Sequence, residues 1–239
     1  METNFSDKVV IVAGGTGGLG RAISRLLLER DARVAATFHR EEEFAALQQS
    51  AGSAQDRLAG FQADVTDAKA TEKLVQDALA RFGRIDGLVN AVGGYAGGLA
   101  LWDTTAETFE RMIDLNLRSG YALARAVVPV LRTQKHGAIV NVSAKAAWDH
   151  AAGASAYAAS KAAALALMDS LAADLRGSGV RINSILPSII DTDANRRAMP
   201  QADFSQWPSP EDIARVVLFL LSDDARVIHG ASIPVFGAA

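Results

Sequence analysis

The chain has 239 residues, 49% hydrophobic and 21% charged, with a net charge of −3. That balance suits a sizeable apolar core, and the slightly acidic sum offers no footprint for nucleic acid or an anionic membrane. With no cysteine and four scattered histidines (His39, His136, His150 and His229), neither disulfides, thiol catalysis nor a metal site is expected.

The opening METNFSDKVV is polar and lacks a signal-peptide pattern, and no run reaches the ~18 apolar residues of a membrane span. A cytoplasmic location is the expectation. The run from Val9 to Ala13 predicts a buried strand, and Leu19 to Arg30 carries apolar residues at helical spacing. Further strands are predicted from Arg33 to Phe38, Gly60 to Ala63, Gly87 to Asn90, Ala138 to Val142, Val180 to Ile185 and Ala231 to Val235. Long helices are expected at Thr105–Thr133 and Ser155–Arg176. Near-continuous apolar strands alternating with helices predict a doubly wound parallel sheet with helices on both faces. No linker or repeat divides the chain, so one α/β domain is expected over residues 1–239.

Directly after the first predicted strand stands Gly14-Gly15-Thr16-Gly17-Gly18-Leu19-Gly20. Glycines there allow a tight turn and close approach of backbone N–H groups to a pyrophosphate, while the next helix presents its positive end. A glycine-rich surface turn would look similar, but the placement between first strand and first helix favours a dinucleotide site in a Rossmann fold. The second strand ends Thr37-Phe38-His39-Arg40. A carboxylate at the position of Phe38 would select NAD. Its absence, with Arg40 and His39 following, suits the 2′-phosphate of NADP, with NAD also able to bind. The plainer alternative is a solvated Arg40 countered by Glu41, Glu42 and Glu43.

Tyr157-Ala158-Ala159-Ser160-Lys161 puts a phenol and an ammonium four residues apart, on one helical face. Alone, that is an ordinary surface pair. Behind a dinucleotide turn it reads as a general acid/base, with Lys161 lowering the pKa of Tyr157.

In order and spacing the chain resembles the short-chain dehydrogenases/reductases over nearly its whole length. The matching positions are Gly14-x-x-x-Gly18-x-Gly20, Asp64-Val65, Asn90-Ala91-Val92-Gly93, Asn116, Tyr157-x-x-x-Lys161, Pro187 with Ile190 and Thr192, and Ser209 to Ala214. The resemblance implies a hydride-transferring oxidoreductase, a small-molecule substrate, and a homodimer or homotetramer packed through the two long helices. It implies cofactor contacts from Gly14, Thr16, Gly17, Gly18, Leu19, Gly20, Asp64, Val65, Asn90, Ala91, Gly93, Pro187, Ile190 and Thr192, and from Lys161 to the nicotinamide ribose. Asn116 would support a proton relay.

Two departures stand out. The usual Asn-Asn-Ala-Gly is Asn90-Ala91-Val92-Gly93, and the serine expected thirteen residues before the tyrosine is Ala144. Ser143 stands one residue earlier, where an extended strand turns its side chain the other way. Three segments, Val92 to Gly98, Ala144 to Ala147 and Leu186 to Trp207, are similar to the quinonoid dihydropteridine reductase branch, which works without the serine. That likeness puts Tyr95 and Ala144 beside the substrate and makes residues 190–210 a substrate lid. A conjugated cyclic or carbonyl acceptor is the first reading. A 3-oxoacyl-thioester or general ketone reductase is the second, and a non-catalytic dinucleotide sensor the third.

Overall fold

Short runs of β-branched and small apolar residues form β1 (Val9–Ala13), β2 (Arg33–Phe38), β3 (Leu58–Gln62), β4 (Gly87–Asn90), β5 (Gly137–Val142), β6 (Val180–Pro187) and β7 (Ser232–Val235). They pair into one wholly parallel sheet, ordered β3-β2-β1-β4-β5-β6-β7. The fold is that of a computed structural model, which describes residues 4–238. The ends of the expected 1–239 unit, residues 1–3 and Ala239, lie outside the described residues. None of the helices described is long and apolar enough to cross a membrane.

The helices are α1 (Gly18–Glu29), α2 (Glu41–Ala51), α3 (Ala68–Phe82), α4 (Ala106–Ile113), α5 (Ser119–Gln134), α6 (Ser155–Asp174), α7 (Asp193–Ala198) and α8 (Pro210–Leu221). Residues alternate between the two faces of each strand, and β1 shows both cores. Val10 and Val12 face Ile23 and Leu27 of α1 and Val217 and Leu220 of α8. Val9, Ile11 and Ala13 face Val75 of α3, Leu123 of α5 and Met168 of α6. Burial on both faces explains why the strand is apolar without interruption.

Several boundaries differ from those expected. β3 starts at Leu58 and runs through Gly60, where a Cβ would lie 2.3 Å from the Phe44 ring, so glycine is what lets α2 close on the strand. β6 continues to Pro187, and α6 ends at Asp174. The expected helix Thr105–Thr133 is α4 and α5 joined by a π-helical turn, Asp114–Arg118. Sequence periodicity misses such a turn because it adds one residue without changing composition. The expected lid contains α7 and a short 3₁₀ turn, Phe204–Gln206.

The amino ends of the central strands are tied by Asp86. Its buried carboxylate accepts from Val9 N at 2.9 Å and from Arg84 Nε at 2.9 Å, while its backbone bonds both Val9 O and Ala138 N. Removing the acid leaves a buried N–H and a guanidinium without their acceptor. Asp86→Ala is therefore expected to destabilise the protein by about 2–4 kcal/mol, read as a lower urea midpoint at unchanged slope. A loss below ~0.5 kcal/mol would reduce the Arg84 contact to an ordinary surface pair.

Candidate active site

The strand order reverses between β1 and its neighbour β4, the place where open α/β sheets receive ligands at their carboxyl ends. Every loop predicted to carry a site residue emerges on that edge. Two clefts of about 260 and 350 Å³ lie on the opposite edge, lined by residues such as Lys8, His136 and His229, and touch none of them.

After β1, Gly14 adopts φ +73°, a left-handed conformation that suits glycine, and its N–H donates to Thr37 Oγ1 at 2.8 Å. A Cβ at Gly20 would lie 2.0 Å from Gly14 O, so the turn closes onto the helix only with glycine there. Gly17 caps α1 without a side chain, leaving the positive helix end open to an anion. Leu19 points into the core. On the far side, the Thr192 methyl group packs where a Cβ of Gly18 would be, at 2.8 Å. This tight, side-chain-free cradle at a helix N-terminus fits a dinucleotide pyrophosphate.

Phe38 packs toward α2. It is buried and stacks on Phe44 of α2, with ring centroids 4.9 Å apart. His39 and Arg40 follow at the surface, where Arg40 Nε donates to Glu43 Oε1 at 2.9 Å. Thr16 Oγ1 donates to the other oxygen of Glu43 at 3.1 Å. After β3, Asp64 caps its own turn by accepting from Thr66 N and Oγ1, which holds its carboxyl below the usual range, and Val65 is buried.

Asn90 closes β4 at its carboxyl end. Its side chain is buried and donates to Asn141 Oδ1 at 3.0 Å across β4 and β5, against Gly120. Asn90 Oδ1 accepts from Val92 N of the following loop at 3.3 Å, and Ala91 N pairs with Ala13 O. The inward turn follows from register, since Asn90 and Asn141 are directly paired. Pro187 ends β6 against Val235, and Ile190 O accepts from Thr192 N and Asn195 Nδ2.

Tyr157 and Lys161 sit one turn apart on α6. Lys161 is 5% exposed and donates to Val142 O at 3.1 Å. Desolvation pulls its pKa down to about 8. The same effect pushes Tyr157 up to about 12, with Tyr95 adding to it. The expected lowering by Lys161 is thus absent here. The ammonium is turned to a backbone carbonyl and burial dominates the phenol. The Tyr95 ring meets Tyr157 edge-on at 5.0 Å and is 66% exposed.

Asn116, in the π-helical turn, exchanges two 3.0 Å bonds with Gly94 N and O. It also donates to Ser160 Oγ at 3.0 Å, and Ser160 in turn donates to Tyr157 O at 2.8 Å. This bridge from Asn116 to the Tyr157 turn was not predicted, although Ser160 lies in plain view between Tyr157 and Lys161. Ala144 is buried and opens a 3₁₀ turn, Lys145–Ala147, that packs against α6. Ser143 faces elsewhere, donating to Lys161 O at 3.3 Å. The expected lid is tied within itself. Arg196 pairs with Asp191 at 2.5 and 2.7 Å and lies over Phe204, which touches Trp207.

The short chain dehydrogenase family model matches residues 8–203. The 3-oxoacyl-acyl-carrier-protein reductase of Escherichia coli (strain K12) is 31% identical over 242 residues, covering 98% of each chain. The 2-(R)-hydroxypropyl-CoM dehydrogenase of Xanthobacter autotrophicus is 33% identical over 246 residues, covering 97% of this chain and 98% of its own. Among solved structures, levodione reductase superimposes with a TM-score of 0.91 at 30% identity, covering 98% of both chains. ElxO with NADP bound does so with a TM-score of 0.90 at 25% identity, covering 96% of this chain and 97% of that one.

The buried ammonium has a consequence for stability. Its folded pKa, about 8, lies below the ordinary 10.5, so the unfolded chain binds more protons between those values and native stability rises with pH across that window. Below pH 8 the full penalty applies, on the order of 3 kcal/mol before the bond to Val142 O is credited. Lys161→Met is therefore expected to raise unfolding free energy by about 1–3 kcal/mol at pH 7, an advantage that fades by pH 10.5. Equal or lower stability at pH 7, measured by urea unfolding, would contradict it.

Proposed function

The chain belongs to the short-chain dehydrogenase family, and from that premise we propose that it is an NADP(H)-preferring oxidoreductase acting on a conjugated cyclic or carbonyl substrate. The observation that carries this reading is a protonated, aromatic-flanked Tyr157 on α6, against which packs a turn that opens with only the methyl group of Ala144. Arg40 and His39 after β2, with no acid at Phe38, support the phosphorylated dinucleotide, as does the NADP bound to ElxO.

The cradle Gly14 to Gly20 would hold the pyrophosphate, with Thr16 and Arg40 toward the adenosine end. Asp64, Val65, Ala91 and Gly93 would line the adenosine and ribose, and Pro187, Ile190 and Thr192 the nicotinamide. When bound, the dinucleotide supplies the hydride that adds to the substrate. Tyr157 Oη gives the matching proton. Burial keeps that phenol in its acid form to about pH 12, so the donor form is resident at neutral pH. Lys161 has one protein acceptor and further N–H groups for a ribose hydroxyl, and at a pKa of about 8 it can return a proton to the phenolate. Asn116, through Ser160, fixes the turn that carries Tyr157.

A ketone oxygen becoming an alkoxide gains from a second donor. Ala144 supplies none, and Ser143 is engaged behind the helix. An acceptor that spreads developing charge over its own ring needs that donor less, and Tyr95 beside Tyr157 gives a flat aromatic wall for it. The second reading, a 3-oxoacyl-thioester or ketone reductase, is favoured by the names of the Escherichia coli and levodione relatives. Assembly into a homodimer or homotetramer would use α4, α5 and α6, where Phe109 and Tyr121 are exposed.

The test is oxidation of NADPH and NADH with an oxidised, conjugated dihydropterin and an acetoacetyl thioester in parallel. Turnover of the pterin alone supports the first reading. Turnover of the thioester with the pterin inert overturns it. Tyr157→Phe should lower kcat by roughly 10²–10⁴-fold with NADPH affinity unchanged, and a protein with no turnover to lose would be the dinucleotide sensor. Ala144→Ser should raise thioester reduction by up to ~10²-fold while leaving the pterin rate within a few-fold. A fall on both substrates would mean that the methyl group is there for packing.

A further inference from the structure

Glu43 stands between two residues proposed to meet the cofactor. Its Oε1 accepts from Arg40 Nε at 2.9 Å and also from Arg40 Nη2, and its Oε2 accepts from Thr16 Oγ1 at 3.1 Å. Thr16 lies in the turn after β1 and Arg40 in the loop after β2, so one carboxylate spans the gap between them. The Nε–Nη2 edge it occupies is the fork by which a guanidinium takes a phosphate. Arg40 is 73% exposed against 32% for Glu43, so the arginine reaches in from solvent to meet an anchored acid. The anchoring comes from the next residue, since Phe44 is stacked on Phe38 and fills the space above Gly60. The backbone of α2 is thereby fixed at this point, and only the Glu43 side chain can swing away. Arg40 and Thr16 together hold its carboxyl below the usual range.

A 2′-phosphate arriving at Arg40 must displace this carboxylate or sit beside it at like charge. A 2′-hydroxyl need do neither, because an ionised carboxylate accepts from it. Phe38 removes the acid from the end of β2, and Glu43 returns one from three residues beyond Arg40. We infer that Glu43 is a specificity-determining residue, which competes with the cofactor's 2′-phosphate for Arg40 and Thr16 and so narrows the preference for NADP(H) over NAD(H). The inference rests on the NADP(H) reading above for the role of Arg40, and it adds a residue of opposite sign.

The test compares dissociation constants of 2′,5′-ADP and 5′-ADP, by titration calorimetry, for the parent, Glu43→Gln, Arg40→Leu and the double variant. Glutamine keeps the length and a hydrogen bond to Thr16 but loses the charge. Glu43→Gln should tighten 2′,5′-ADP roughly three- to tenfold, leave 5′-ADP unchanged or weaker, and lose its gain when Arg40 is leucine. No tightening, equal tightening of both nucleotides, or a gain that survives the loss of Arg40 would each overturn the proposal. The NADP(H) reading is scored separately by Arg40→Leu alone. A parent that binds both nucleotides equally and ignores that substitution removes the reading, while the response to Glu43→Gln still decides the competition.

Discussion

An ammonium group held out of water between β5 and α6 sets the conditions for everything around it. Lys161 Nζ has Val142 O as its fixed acceptor, and the loop after β4 must pass close by. A Cβ at Gly93 would lie 3.0 Å from Nζ and 2.8 Å from Asn116 Oδ1, so glycine is what allows the loop through. Ser143 closes the back of the site by bonding the carbonyl of Lys161 itself. These contacts surround a lysine whose pKa is pulled down by burial, a perturbation of the kind that concentrates at functional sites.

Much of this was legible in the sequence, and for a definite reason. Strands of a parallel sheet covered on both faces are apolar throughout, so Val9 to Ala13 and Arg33 to Phe38 declare themselves with their true limits. The glycine turn and the Tyr157–Lys161 spacing were equally plain, because each depends on local geometry that residue type dictates. What spacing could not show was the balance of environment. A spacing of four from Tyr157 to Lys161 suggests charge stabilisation, whereas burial, a property of the whole fold, moves both groups away from their charged forms. Glu43 was hidden in a different way. The acidic triplet reads as a countercharge to Arg40, but only the folded loops select Glu43 from it and bring that residue to Thr16 as well. The Asn90–Asn141 bond was hidden too, because only the register of β4 against β5 brings the two side chains together.

Sequence identity of about 30% over nearly the full length joins this chain to proteins named for different reactants, 3-oxoacyl-acyl-carrier protein, 2-(R)-hydroxypropyl-CoM and levodione. What they are shown to share is the fold, which superimposes on levodione reductase with a TM-score of 0.91. On a common scaffold, differences in reactant arise in the loops at the carboxyl edge, where this chain carries Tyr95, Ala144 and the Asp191–Trp207 segment.

The π-helical turn at Asp114–Arg118 keeps a change of length from spreading along the chain. It is equivalent to a single-residue insertion in an otherwise continuous helix. The wide turn absorbs that residue without changing the way the following helix faces, whereas the same residue inside a regular helix would rotate everything downstream by roughly 100°. Gly120 thus stays beside the Asn90–Asn141 pair and Leu123 in the core. The insertion is felt only within the turn itself, where Asn116 sits, while the sixteen residues of α5 keep their facing.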